Sequence, residues 1–155
     1  MKRKIALVLL VVLIAIQFIR PARNLAAPGP NPNDLATLNP PPPAVKAILE
    51  RACYDCHSDN TRYPWYANIQ PVAWWLDHHI TDGKRHLNFS QFGKYNAKRF
   101  GQKLEQIVDE TRDGGMPLWS YTLIHRDAKL TDVEIKALAD WVATIPHQAE
   151  TEKSD

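Results

Sequence analysis

Cysteine occurs twice in this chain of 155 residues, at Cys53 and Cys56, and His57 follows directly. Two cysteines cannot make a disulfide-rich scaffold, nor a zinc site built from four thiolates. The run Cys53-Tyr54-Asp55-Cys56-His57 has the spacing of a c-type haem attachment site. Two thiols three apart at the end of a helix reach the two vinyl groups of one porphyrin and form thioethers. The next residue then falls beneath the iron and offers an imidazole nitrogen as proximal ligand. Three rival readings exist: a thioredoxin-type redox pair, half of a zinc site completed by histidines, and a plain disulfide. The first needs a βαβ pattern, which is absent. The adjacent histidine and an export-type N-terminus favour one covalently attached haem c, with Cys53, Cys56 and His57 binding the cofactor and His57 ligating iron.

That N-terminus begins with Lys2-Arg3-Lys4 and continues as an apolar run from Ile5 to Ile19, interrupted by Gln17. A basic segment before an apolar one marks export, with the basic end kept in the cytoplasm. Residues 1–23 read as a single-pass signal anchor, or as a signal peptide if cleaved. The run is shorter than a comfortable span, and Leu25-Ala26-Ala27 is a poor cleavage site. Residues 24–43 are rich in proline and asparagine, with eight of the twelve prolines between Pro21 and Pro43. They read as a stiff, non-helical spacer holding a domain off the membrane. The domain itself is expected over 44–147 and a polar, frayed tail over 148–155.

The net charge of +2 divides unevenly. Residues 1–43 hold five basic residues and one acid, so the remainder carries 14 basic against 16 acidic residues. A slightly acidic domain lacks the clustered positive charge that nucleic acid requires.

Hydrophobic spacing predicts four helices and no sheet. Val45, Ile48, Leu49 and Ala52 mark the first, running into Cys53. The second spans Asn68 to Ile80, with Ile69, Val72, Leu76 and Ile80 along one side and Asp82-Gly83 ending it. Phe100, Leu104, Ile107 and Val108 mark the third, stopped by Gly114-Gly115. The fourth opens with Thr131 as N-cap and Glu134 completing a capping box. Leu130 and Ile135 suit a hydrophobic staple, and Ile135, Leu138, Ala139 and Val142 make the buried stripe.

Apart from Met1 the only methionine is Met116, within Gly114-Gly115-Met116-Pro117. Two glycines permit close approach to a flat ligand, and a thioether suits low-spin haem iron as sixth ligand, raising its potential. The bland reading is a methionine packed beside the haem. Among His78, His79, His86, His125 and His147, His79 is the best alternative ligand, and His125 suits a propionate contact or a turn. Tyr63, Trp65, Tyr66, Trp74, Trp75, Trp119 and Tyr121 suggest either a haem pocket or ordinary core packing. Arg62, Lys84 and Arg85 are candidate partners for propionates, or solvated charges.

Four stretches carry a wider likeness: C-Y-D-C-H-S-D-N-T-R-Y-P-W-Y, I-Q-P-V-A-W-W, D-G-K-R-H-L-N-F-S-Q-F and G-G-M-P-L-W-S-Y-T-L-I-H-R-D-A-K-L-T. In this order, over about residues 44–145, the sequence resembles the bacterial haem-binding domain family of exported, cytochrome c-like proteins. The resemblance implies covalent haem c on Cys53 and Cys56, His57 as proximal ligand, and a Met-Pro loop at Met116 and Pro117. The segment Leu87 to Ser90 also matches, with no chemical role beyond turning the chain over the haem edge.

The expectation is an all-α, small cytochrome c-like domain around one haem, behind an N-terminal membrane segment. It would transfer single electrons at the outer, periplasmic face of the bacterial cytoplasmic membrane. It would be a monomer and not an enzyme, meeting unidentified redox partners in transient encounters. The alternative is a haem-based peroxidase or a gas or redox sensor with an open sixth position, for which His79 or His125 would serve as distal acid or base.

Overall fold

The computed structural model describes residues 1–27 and 29–146. His147 and the tail 148–155 lie outside the described residues. Within them the chain is all-helical, with no strand. The α-helices are α1 (Lys2–Ile16), α2 (Leu35–Leu38), α3 (Pro43–Ala52), α4 (Tyr54–His57), α5 (Val72–His86), α6 (Ala97–Arg112), α7 (Trp119–Thr122) and α8 (Asp132–Ala143). Short 3-10 segments occupy Trp65–Asn68, Phe89–Lys94 and Arg126–Ala128.

α8 packs against both α3 and α6. Leu49, Leu104, Leu138 and Val142 meet there, with Phe89 and Phe92 closing the core. The sequence sets the start of α8 locally. Thr131 accepts from the Glu134 amide, and Glu134 accepts from the Thr131 amide at 2.9 Å, so two otherwise unpaired donors are satisfied reciprocally. Glu134 also pairs with Arg51 at 2.5 Å, fastening α8 to the end of α3. The Thr131 amide, followed by Arg51, holds the Glu134 carboxyl below its usual range. A depressed folded-state pKa means stability that is present above the unfolded carboxylate pKa and lost as pH falls through the folded one. Glu134→Gln should therefore cost about 0.3–1 kcal/mol at neutral pH. In thermal melts the gap from the native chain should close on acidification; a gap independent of pH would contradict this.

Residues 24–43 are not a free spacer. Leu35 is fully buried in the core, and Asp34 caps α2 while accepting from the Tyr54 hydroxyl at 2.9 Å. Asn31 donates to Ser90 O at 2.7 Å, and Asn24 donates to Ser58 O and Thr61 Oγ1. The prolines prevent a long helix but leave an extended chain whose asparagines bond along the domain. Leu35→Ala should cost about 2–5 kcal/mol, the price of emptying a core site. A change near zero in chemical denaturation would return the segment to the role of spacer.

The second helix is also displaced from its expected bounds. It starts at Val72 and runs through Asp82-Gly83 to His86. Its buried face is Ala73, Leu76 and Ile80, whereas Ile69 and Val72 are exposed. The N-terminal apolar run forms α1, which ends before Ile19. α1 has 15 residues, none of them buried. At 1.5 Å per residue it rises about 22 Å, short of a hydrocarbon core of about 30 Å. Among the described residues no helix is long and apolar enough to cross a membrane.

Candidate haem site

α3 ends at Ala52, and Cys53 accepts the amides of Cys56 and His57, winding the motif into the single turn α4. The two residues between the cysteines are fixed by partners of their own. Asp55 accepts from the Arg62 amide and guanidinium at 3.1–3.4 Å and from the Tyr121 hydroxyl at 2.9 Å. The Tyr54 ring packs 5.1 Å from Phe89.

His57 is oriented from α5. Its Nδ1 lies 3.0 Å from both Gly83 O and Leu87 O. Two carbonyls can only accept, so Nδ1 carries the proton and Nε2 keeps its lone pair. Burial pulls the His57 pKa below its ordinary value, against a smaller opposing effect of these hydrogen bonds. The ring is thus neutral near neutral pH, the form that binds a metal.

Gly83 permits the close approach behind this geometry. A Cβ there would meet Cys56 O at 2.9 Å, which is backbone and cannot swing away. Gly83→Ala should force α4 and α5 apart at a cost of about 1–3 kcal/mol. It should also disturb the His57 bond, so the haem spectrum should change along with the melting temperature. A native spectrum and melting temperature would contradict this.

Cys53, Cys56, His57, His79 and Met116 all line one cleft of about 590 Å³, within the range of sites that hold a cofactor. The two cysteines are not joined to each other. Burial pushes the Cys53 thiol up to about 12 and the Cys56 thiol up to about 11. A thioredoxin-type nucleophile needs the reverse shift. Among the described residues no three His, Cys, Asp or Glu side chains gather as a metal-holding group, which leaves the zinc reading without its further ligands.

Met116 reaches the cleft through the end of α6. Gly114 adopts φ +74°, the left-handed conformation that favours glycine, and the Met116 amide donates to Glu110 O at 2.9 Å. Gly114 therefore turns the chain, where a Cβ would touch nothing, while a Cβ on Gly115 would run into the Glu110 carboxylate.

Several other expected roles fall elsewhere. His79 lines the cleft with Nδ1 2.9 Å from Trp75 O, while His78 pairs with Asp82 on the surface. His125 stacks on Tyr121 and lies 2.6 Å from the Tyr66 hydroxyl, outside the cleft lining. Of the seven aromatics expected near a pocket, Tyr121 alone lines it, and Trp65, Trp74, Trp75 and Trp119 are exposed. Arg62, Lys84 and Arg85 pair with Asp55, Asp59 and Asp82. The basic side chains in the lining are instead Lys103 and the imidazoles, including His86. The segment Leu87 to Ser90 gains a role: Leu87 O receives His57, Asn88 caps the following 3-10 turn, and Phe89 meets the His57 ring edge-on at 6.4 Å.

An all-helical domain with a cofactor-sized cleft, two unpaired cysteines and a neutral, carbonyl-oriented histidine on its wall has the build of a haem-binding protein. The chain belongs to the haem-binding domain family, which it matches over residues 11–144. That match takes in residues 24–43, in keeping with their packing on the domain. Comparison with curated proteins and with solved structures gives no match.

Proposed function

We propose that this chain is a monohaem c protein that transfers single electrons, attached through α1 to the outer face of the bacterial cytoplasmic membrane. The observation that carries the reading is the shared cleft, in which both cysteines of the motif, His57 and Met116 face one space. Bound haem would supply a reversible one-electron iron couple. The chain's own residues do the rest. Cys53 and Cys56 would form the thioethers, and His57 would present Nε2 because Gly83 O and Leu87 O hold its other nitrogen. Met116, on the lining of the same cleft, would offer its thioether sulfur as a further ligand. Export rests on the basic and then apolar N-terminus, and redox partners meet the domain transiently as a monomer.

One observation favours a second reading of the sixth position. His79 lines the same cleft, and its Nδ1 bond to Trp75 O leaves Nε2 for iron or for a distal acid–base role. The ferric optical spectrum separates the cases. A weak far-red charge-transfer band supports Met116 and the electron carrier. A low-spin spectrum without that band puts His79 on the iron. A high-spin spectrum contradicts the carrier and supports a peroxidase or sensor with an open site.

A further inference from the structure

We infer that the apolar surface around the exit of α1 lies against the lipid bilayer, so that the haem domain rests on the membrane instead of standing off it. This rests on the reading that α1 attaches the protein to a membrane. The expected spacer would have let the domain drift. The structure replaces it with a rigid joint. Gln17 and Gln70 exchange a reciprocal pair of hydrogen bonds, Gln17 donating to Gln70 O at 3.2 Å and receiving the Gln70 amide at 2.9 Å. Ile19 O accepts from Gln70 Nε2 at 2.7 Å and from the Trp74 indole at 3.1 Å. Arg23 donates to Asn68 at 2.8 Å. Gln70 is 2% exposed, so its end of the joint is shielded from water.

The joint brings a particular surface to the end of α1. Trp65 is 75% exposed and Trp75 44%, and Ile69 and Val72 are exposed beside them. Packing of α5 through Ala73, Leu76 and Ile80 turns Val72 and Trp75 toward the outside of the domain. α1 itself is apolar with no buried residue. An apolar helix and an aromatic, apolar patch meeting at one junction form a single continuous surface of a kind soluble proteins rarely expose. Tryptophan favours the lipid–water boundary, since its ring is apolar and its N–H polar. Arg20 and Arg23 sit at the same junction, where positive charge meets anionic headgroups. Trp75 also contacts His79 at 4.1 Å between ring centroids, so the patch lies one helical turn from the cleft wall. Electron exchange would then take place beside the bilayer.

Nitroxide labels on the full-length haem-loaded protein test this. Val72→Cys places one label in the patch, and Val133→Cys places a control on exposed α8. Each protein is reconstituted with vesicles of phosphatidylethanolamine and phosphatidylglycerol, and the collision rates of oxygen and a water-soluble nickel chelate are compared, each against the same sample without relaxant. The inference predicts co-flotation with vesicles and an oxygen-to-nickel ratio several-fold higher at position 72 than at 133. Co-flotation with equal, water-like ratios overturns the inference and leaves membrane attachment standing. Failure to float overturns both.

Discussion

His57→Ala is expected to leave almost no stable haem-loaded protein after export, while His78→Ala leaves a normal yield. The two residues share a side-chain type and differ in what they touch. His78 makes one surface contact with Asp82 at 3.6 Å, a pair worth little in water. His57 is held by two backbone carbonyls and packed edge-on against Phe89. On the proposed ligation its loss would remove the proximal bond, and it takes away the donor to Gly83 O and Leu87 O. A polar group left unpaired in a partly closed site costs about 1–3 kcal/mol before the ligand bond is counted. One or two kcal/mol already shifts the folded ratio by a factor of roughly 5–30. Haem-specific staining of exported protein, normalised to total chain, reads the outcome. Equal yields from the two variants would remove His57 from the site.

Met116→Ala is expected to have the opposite profile, with haem retained and its properties changed. Both cysteines and His57 stay in place, so attachment survives. The hydrogen bond from residue 116 to Glu110 O is made by the backbone and also survives. The sixth position opens or takes another ligand. The far-red band should disappear, the potential should fall, and small ligands should bind, because axial ligand identity is a main control on haem potential. Stability should drop modestly, since the helical core of α3, α6 and α8 is untouched. An unchanged ferric spectrum would contradict ligation by Met116. His79→Ala would then be the variant that alters it.

What the sequence reveals about this molecule is mostly local. Thr131 and Glu134 announce the start of α8 because a capping box needs only four residues. The motif at Cys53–His57 is legible because its five residues are contiguous, and the structure brings both cysteines and His57 to one cleft. The boundaries that fail depend on contacts far along the chain. Asp82-Gly83 looks like a helix stop, yet Gly83 lies inside α5, where the lack of a side chain admits Cys56 O. Leu35 sits among prolines and asparagines with no hydrophobic period around it, so its burial against distant helices leaves no local pattern. The aromatic residues mislead for a related reason. Closeness in sequence to the motif suggests a pocket wall, but the turn of α5 points Trp74 and Trp75 outward. The orienting carbonyls of Gly83 and Leu87 are backbone atoms, which no residue type reports.

Covalent haem on Cys53 and Cys56 is decided by intact mass after denaturation. Exported full-length protein is unfolded in acid, extracted with organic solvent and weighed. The expected result is a chain heavier by one haem, no haem in the solvent phase, and no free thiol. Haem that passes into the solvent, leaving a chain of unmodified mass with two reactive thiols, would contradict it.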